Sequence, residues 1–315
     1  MTNFYDANLV LIQSTFVGLL MALSIQVPLR MGVFSFSGIG CYGVAAYGAA
    51  ILTIRYETDP LVTILLSALV CGVLNLLLGM MVNRLGGLYL GMATVAFDMI
   101  VSVVATNGGD LTGGPTGLFG AITDITMTQV VVICGVVVVA LALTERGRLG
   151  RRVDTVREDP ELAAAMGIRV RDYRLASFVV SGVLGGAAGA VNSLLRSTVS
   201  PTDIGFSLVV LALTMIIIGG ARSWLGALIG AVIFTWLPSV LEVVGQWQTI
   251  IYGVIVALAA VYVPRGLVGL ATDGWRRLRR RQPADTVAVA DDTTPDRELA
   301  ALENLAQDTS MGRTS

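Results

Sequence analysis

Long stretches without a charged residue are the feature that most restricts what this chain can fold into. A helix needs about 20 apolar residues to cross the roughly 30 Å of hydrocarbon in a bilayer. Nine apolar stretches approach that length, and only one of them, 85–109, is interrupted by a charge, that of Asp98. The other eight are 7–29, 31–54, 60–83, 125–144, 175–195, 204–221, 223–241 and 243–264. The sequence therefore predicts about nine spans in an all-α, polytopic transmembrane helix bundle.

The composition agrees with a membrane protein and excludes several kinds of chemistry. Hydrophobic residues make up 55% of the chain and charged residues 14%, whereas soluble domains carry about 25% charged residues. All 21 basic residues are Arg, and His is absent. A Walker A loop needs Lys, and His-based triads, HExxH zinc sites and His general bases need His. We therefore expect no catalysis, no bound cofactor and no metal site in this chain.

The distribution of Arg predicts the orientation of the spans, because cytoplasmic loops carry an excess of positive charge. Loop 145–174 carries eight Arg, and six more fall within 265–281. If both segments are cytoplasmic, the N-terminus lies outside and the C-terminus lies in the cytoplasm. The short connections then agree, since Arg30, Arg84 and Arg222 fall at cytoplasmic turns. The acidic connections fall outside and contain Glu57, Asp59, Asp110, Asp124, Asp203 and Glu242.

The chain divides by composition into a membrane part, 1–270, and a segment, 271–315, that begins with basic residues and ends with acidic ones. Trp275 and the Arg residues within 276–281 are typical of an anchor at the headgroup level. The acidic remainder has the composition of a disordered cytoplasmic segment. The basic membrane part fits contact with an anionic leaflet, so no nucleic-acid partner is needed to explain its charge.

Glycine is abundant, with 36 residues, and it is concentrated within the predicted spans. Segment 182–189 reads GVLGGAAG. Small residues allow helix backbones to approach closely in lipid. These glycines therefore indicate tight helix packing or, alternatively, broken helices around a translocation path.

Loop 145–174 contains the signals of a short isolated helix. Asp159 is a favourable N-cap, Pro160 suits the first helical position and Glu161 complements the helix dipole. Gly167 suits the left-handed position that ends a helix. We therefore predict a helix over 160–166 whose apolar face consists of Leu162, Ala165 and Met166. A helix this short is marginal by itself, so that face should dock on lipid headgroups, on its own domain or on a cytoplasmic partner.

Four stretches together resemble the permease subunits of branched-chain amino-acid ABC importers, of the type called LivM. The first is EDPELAAAMGI with the RVRDYRLASFVVSGVLGGAAGA that follows it. The others are SFSGIGCYGVAAYGAA, GLYLGMATVAFDMI with LTGGPTGL after it, and IIIGGARSWLGALIGAVIF. The resemblance covers about residues 15–270 and is specific in combination.

The resemblance implies a multi-pass protein of the bacterial cytoplasmic membrane that translocates branched-chain amino acids. It implies a second, homologous permease, two ABC ATPase subunits that bind ATP and Mg²⁺, and an external solute-binding protein. Helix 160–166 would be the coupling helix, seated in an ATPase cleft. The positions carried over from the family are Glu158, Asp159, Pro160, Glu161, Ala164 and Gly167. A urea or short-amide importer of the same family and a stand-alone secondary transporter are the alternatives, although a stand-alone carrier has no need of an isolated cytoplasmic helix.

Candidates for the substrate pathway come from polar groups in or beside the spans. A charged Asp98 inside a span should face protein or water, either as a functional group or as an anchor between helices. Segment 107–118 is expected to lack regular structure and to form an external connection or a re-entrant element near an outer gate. The full set of pathway candidates is Thr94, Asp98, Asn107, Thr112, Gly113, Gly114 and Asn192.

Overall fold

The computed structural model describes residues 8–121, 123, 125–145, 147–241, 245, 247–262 and 266–269. The chain divides into two compact units, 1–272 and 273–315, and every described residue belongs to the first. The predictions for Asp124, Arg146, Glu242 and segment 271–315, including Trp275, lie outside the described residues.

The described residues are almost entirely helical. The α-helices are α1 Leu9–Arg30, α2 Ser37–Tyr56, α3 Pro60–Val82, α4 Gly87–Asn107, α5 Met127–Glu145, α6 Gly147–Glu158, α7 Pro160–Ala165, α8 Val170–Arg196, α9 Phe206–Gly219, α10 Trp224–Leu241 and α11 Gln248–Tyr262. Single 3₁₀ turns occupy Gly109–Leu111, Gly114–Thr116 and Pro201–Asp203. Two short strands, β1 Leu118–Phe119 and β2 Thr198–Val199, pair antiparallel.

Eight helices in the described part of the chain are long and apolar enough to cross a membrane. Each matches one of the nine predicted stretches, and α9 reaches that length together with the 3₁₀ turn before it. The ninth stretch, 243–264, is represented by α11, which has only 15 residues and begins later than predicted. The reason is local, since Gly245 adopts a φ of +62° and the Gln248 side chain donates to the Pro238 carbonyl at 2.8 Å.

Helix α8 is the centre of the bundle and packs against α1, α2 and α3. On its α2 face, a Cβ on Gly185 would overlap the Gly38 carbonyl, and a Cβ on Gly189 would overlap the Tyr42 carbonyl. Because these contacts repeat every four residues on both helices, the α2 and α8 backbones touch along a turn of each helix. Such contact is available only where side chains are missing.

A second pair of glycines packs α8 against α3. A Cβ on Gly182 would lie 2.5 Å from the Asn75 Cβ, and one on Gly186 would lie 2.7 Å from the Cys71 Cβ. The Asn75 amide donates to the Phe178 carbonyl at 2.6 Å across this interface. Helix α8 is unbroken across these glycines, so segment 182–189 packs helices together and does not interrupt one.

The outer faces of the bundle are apolar and uncovered. Helix α3 exposes a row of large side chains, Leu61, Leu65, Leu69 and Val73, each with more than 45% of its surface accessible. Polar side chains such as Ser24, Asn75 and Ser181 are instead fully buried between helices. This distribution is the reverse of that on a soluble protein, and it suits a surface that lipid or another apolar subunit covers.

The backbone contact between α2 and α8 makes a specific prediction about stability. Gly189→Ala should destabilise the bundle by about 1–3 kcal/mol, the usual cost of overpacking a tight core, because its Cβ would overlap a backbone atom that cannot rotate away. Gly135→Ala in α5 is the matched control, since a Cβ there meets no atom within 4 Å and Ala favours a helix. The midpoint of thermal unfolding in detergent should fall for the first variant and stay level or rise for the second. Equal midpoints would show that α2 and α8 are not in backbone contact.

Candidate functional site at the two ends of the bundle

The charged loop between α5 and α8 folds into two helices, of which the sequence reasoning found only the second. Helix α6 is amphipathic, with Val153 and Val156 buried. The spacing of these residues with Gly150, at intervals of three, is the signal that could have revealed it. The opposite face carries Arg148, Arg151 and Arg152, so α6 presents a basic surface beside α7.

Helix α7 has the predicted caps. The Asp159 carboxylate accepts hydrogen bonds from the backbone N–H groups of Glu161 at 2.9 Å and Leu162 at 3.0 Å. Gly167 has a φ of +81°, which favours glycine. The N–H of the next residue, Ile168, donates to the Ala163 carbonyl at 3.0 Å, which completes a Schellman ending. The helix is Pro160–Ala165, one residue shorter than predicted, because Met166 already lies outside it as the C-cap.

The predicted apolar face of α7 is not covered by any of the residues that the structure describes. Ala163 is the one fully buried residue of the helix, whereas Leu162 is 55% and Met166 68% exposed. Ala165 is exposed as well, so the alternative of docking on its own domain is wrong. Glu161 and Ala164 are also exposed. Helix α7 is therefore buried against the described residues only through Ala163, and it presents two large apolar side chains to its surroundings.

A cavity of about 690 Å³ adjoins α7 and is strongly basic. Its charged lining comprises Arg148, Arg151, Arg152, Arg169 and Asp172. The Arg169 Nε lies 3.2 Å from the Asp172 carboxylate, and both side chains are mostly exposed. Three of the four Arg lining the cavity therefore have no ion-pair partner within the described residues, so this surface favours an anionic partner.

A cluster of six charged residues lies at the same end of the bundle and lines a cavity of about 380 Å³. It contains Arg30, Glu145, Asp154, Arg157, Glu158 and Arg222. The Glu145 carboxylate accepts the backbone N–H of Trp224 at 2.9 Å and lies 3.9 Å from the Arg30 guanidinium. This charge cluster therefore joins α1, α5, α6 and the α9–α10 connection. The sequence placed Arg30 and Arg222 on the side of the charged loop, and the structure brings both together with Glu158.

Segment 107–118, at the other end of the bundle, has more regular structure than predicted. It forms two 3₁₀ turns and strand β1, which pairs with β2 after α8. Gly113 and Gly117 adopt φ values of +72° and +80°, and a Cβ on either would overlap a backbone carbonyl. The segment is more ordered than expected because these glycines make tight turns, and the strand that follows the turns pairs with a neighbouring connection. Asn107 donates to the Val103 carbonyl at 2.9 Å, and Thr112 is buried in the turn region.

Two pathway candidates, Thr94 and Asp98, are fully buried in α4. The Thr94 hydroxyl accepts the N–H of Phe36 at 3.0 Å, which fixes the start of α2. Asp98 packs closely against Gly40 of α2, since a Cβ added to Gly40 would lie 2.6 Å from a carboxylate oxygen of Asp98. Asp98 therefore faces protein rather than lipid, as predicted, and both side chains join α4 to α2.

The remaining pathway candidate, Asn192, lines a cavity of about 450 Å³ near the 107–118 end. The same cavity is lined by the charged residues Arg196 and Asp203, which sequence reasoning did not single out, and by Tyr42. The sequence signal that could have revealed these two residues is their position, because Arg196 directly follows one charge-free stretch and Asp203 directly precedes the next. Gly18 and Met21 of α1 also line it, whereas Arg30 at the other end of α1 belongs to the charge cluster. The cavity and α7 therefore lie at opposite ends of the bundle.

The seven pathway candidates do not converge on one site. Thr94 and Asp98 lie within the helix packing, and Asn192 lies in the cavity. The other four, Asn107, Thr112, Gly113 and Gly114, belong to the connection after α4.

Comparison with known proteins identifies the family. The model of a family described as "Branched-chain amino acid transport system / permease component" matches residues 9–261. The high-affinity branched-chain amino acid transport system permease protein LivM of Escherichia coli K12 is 23% identical over 81% of this chain and 68% of its own length. The ribose import permease protein RbsC of the same organism is 26% identical over 82% of this chain and 86% of its own length.

A solved structure of a metal-chelate type ABC transporter in an inward-facing conformation is also similar. It has 17% sequence identity and a TM-score of 0.45, and the match covers 84% of each chain. The family match extends over most of the chain and includes every full-length span that the structure describes. The chain therefore belongs to the branched-chain amino acid transport system permease family, whose members are multi-pass membrane components of ABC transporters rather than enzymes.

Proposed function

We propose that this chain is a permease subunit of an importer for branched-chain amino acids. A solute-binding protein delivers the amino acid outside, and ATP hydrolysis in two ATPase subunits drives translocation through this chain and a second, homologous permease. The observation that carries the proposal is the capped helix α7, whose large apolar side chains are uncovered. A permease that responds to a separate ATPase needs such a feature, and a carrier working alone does not.

The proposed orientation places α7 in the cytoplasm and the N-terminus outside. Arg30, Arg157 and Arg222 lie together at the α7 end, which agrees with the excess of positive charge in cytoplasmic loops. The 107–118 connection and Asp203 then face the outside, where a solute-binding protein would dock.

Helix α7 acts as the coupling helix in this proposal. Leu162 and Met166 enter an apolar cleft of the ATPase, and Glu161 and Ala164 lie at its edge. The arginines of α6 beside it would face acidic groups of the same subunit. Because the caps keep α7 helical and only Ala163 is buried against the permease, the helix can follow the movement of the ATPase as a unit.

The charge cluster is the proposed route by which that movement reaches the spans. Glu158 is the residue directly before Asp159, the N-cap of α7. Arg30 lies at the end of α1, and the Trp224 N–H lies at the start of α10. Glu145 contacts both α1 and α10. A displacement of the loop that holds α7 therefore acts directly on the ends of two spans.

The substrate class is supported by the LivM relative and by the chemistry of the cavity at the other end of the bundle. Ribose, urea and short amides are neutral, so they would gain little from a cavity that presents one positive and one negative side chain. An amino acid carries both opposite charges. The cavity therefore favours an amino acid over the neutral solutes transported by other members of the family.

The coupling role of α7 predicts the effect of a double charge change. In the complex assembled with both ATPases and the second permease, Glu161→Arg with Ala164→Glu should lower hydrolysis stimulated by the loaded binding protein about tenfold or more. The reason is that mismatched charge in a buried interface costs about 2–5 kcal/mol. ATP hydrolysis is measured in proteoliposomes, and copurification of the ATPase reports assembly.

The control changes charge at the α3–α4 turn instead, as Arg84→Glu with Leu85→Arg, where both residues are exposed. This control should keep most of the stimulation. Full stimulation in the α7 variant, or a chain that never copurifies with an ATPase and moves leucine alone in liposomes, would refute the proposed function.

The N-cap of α7 predicts a separable structural effect. Asp159→Ala removes the acceptor for two backbone N–H groups and should cost about 1 kcal/mol of helix stability, enough to fray a helix of six residues. Stimulated hydrolysis should fall severalfold, and Asp159→Asn, which caps a helix without charge, should restore it. If stimulated hydrolysis is as low in the Asn variant as in the Ala variant, Asp159 acts through its negative charge and not through the hydrogen bonds of the cap.

The contacts of Glu145 predict an effect on coupling without loss of assembly. Glu145→Ala leaves the Trp224 N–H without its acceptor and Arg30 without its nearby carboxylate, and losing a charged acceptor costs about 1.5–3 kcal/mol. We expect basal hydrolysis to persist while leucine uptake per ATP falls, because the ends of α1 and α10 no longer move together. Uptake and hydrolysis are measured on the same vesicles, with Arg84→Ala at another turn as control. An unchanged ratio would exclude the cluster from coupling.

A further inference from the structure

The cavity at the end of the bundle opposite to α7 combines charges and apolar surface in an arrangement that no comparison assigns. We infer that it binds an apolar α-amino acid as a zwitterion, with Arg196 contacting the carboxylate and Asp203 the ammonium group. This inference rests on the proposed function and deepens it, because it locates a substrate subsite in the permease itself.

The two charged side chains are available to a ligand. Arg196 ends α8 and Asp203 ends the 3₁₀ turn before α9, and both are exposed at the cavity. Among the described residues, neither forms an ion pair within 4.0 Å, although both lie at the same cavity. Opposite charges left apart in this way favour a ligand that carries both complementary charges on neighbouring atoms.

Two polar side chains lie deeper in the same cavity. Tyr42 of α2 is only 6% exposed, and it lines the cavity together with Asn192 of α8. Tyr42 is on the helix that packs by backbone contact against α8. Three polar residues of the cavity, Tyr42, Asn192 and Arg196, are therefore on the two helices that are in backbone contact.

The rest of the cavity is apolar and comes from other helices. Met21 of α1, Met215 of α9 and Phe234 of α10 are buried at its floor, and Leu208 and Leu211 form a partly buried wall. Methionine side chains adapt to different apolar shapes. The volume of about 450 Å³ lies in the range of roughly 300–1,000 Å³ that is usual for small-molecule sites.

These features select the ligand class by charge and polarity. A simple cation would leave Arg196 unmatched, and a simple anion would leave Asp203 unmatched. A neutral solute would satisfy neither charge. A zwitterion with an apolar side chain matches both charges and places its hydrocarbon against Met21, Met215 and Phe234.

The test is protection of a cysteine placed in the cavity. Ser207 lines the cavity and is exposed, whereas the native Cys41, Cys71 and Cys134 are buried. Ser207→Cys is introduced into the full importer, in right-side-out vesicles without the solute-binding protein. A membrane-impermeant methanethiosulfonate then modifies the new thiol in the presence of L-leucine, 3-methylbutylamine or 4-methylpentanoate.

We expect L-leucine to slow the modification of the thiol in Ser207→Cys. Each analogue lacks one of the two charges, so it should give the same protection only at a concentration about tenfold or more above that of leucine. Adding Arg196→Gln or Asp203→Asn should raise the protecting concentration of leucine by at least about tenfold, for the same reason. Arg55→Gln and Glu57→Gln, exposed at the same end, should leave it unchanged. Thr116→Cys, in the exposed connection, should be modified at the same rate with and without leucine.

Equal protection by leucine and both analogues would overturn the subsite, as would full protection by leucine in the Arg196→Gln and Asp203→Asn variants. Protection by the unloaded binding protein but not by leucine would identify a protein-docking surface instead. If the loaded binding protein stimulates hydrolysis in the same vesicles while leucine fails to protect, the subsite is refuted and the proposed function stands. If no ATPase copurifies, the proposed function itself has failed.

Discussion

Backbone contact between α2 and α8 is the interaction on which the rest of this structure depends. Helices in a bilayer cannot rely on the hydrophobic effect to bring them together, because lipid is as apolar as their side chains. Packing must come from close approach, and the glycines of α8 allow it on two faces at once. The face with Gly185 and Gly189 contacts α2, and the face with Gly182 and Gly186 contacts α3. Three spans are thereby fixed to one another, and two of them, α2 and α8, carry Tyr42, Asn192 and Arg196 of the cavity.

The sequence was sufficient to predict the spans, because charge-free length is a requirement of the bilayer and depends little on tertiary context. Eight of nine stretches became full-length spans, and the caps of α7 followed from the local preferences of Asp159, Pro160 and Gly167. The shortening of α11 was not predictable, since it depends on the conformation of Gly245 and on a hydrogen bond from Gln248 to α10. Helix α6 was missed because its arginines were used only to predict orientation, although its buried valines recur at helical spacing.

The pathway candidates were harder to predict, because a polar residue in a span has two physical solutions. It can face a cavity, or it can be buried against another helix, and sequence alone does not say which neighbour it meets. Thr94 and Asp98 proved to join α4 to α2, whereas Asn192 lies at a cavity. Arg196 and Asp203 were not pathway candidates, because charges at the ends of spans are expected at the membrane surface, and Asp203 was used only to predict orientation. Only the fold shows that these two residues share a cavity with Tyr42.

The helices that wall the cavity also reach the charge cluster, and this has a consequence for how the two ends communicate. Helix α1 contributes Met21 to the cavity and Arg30 to the cluster. The α9–α10 hairpin contributes Met215 and Phe234 to the cavity, while its connection contributes Arg222 and the Trp224 N–H to the cluster. Most of the polar side of the cavity, by contrast, is on α2 and α8, which are locked by backbone contact, whereas Asp203 lies in the 3₁₀ turn that precedes α9. A movement applied at α7 would therefore shift the apolar wall and Asp203 relative to Tyr42 and Arg196, and it would change the shape of the cavity without rebuilding the core.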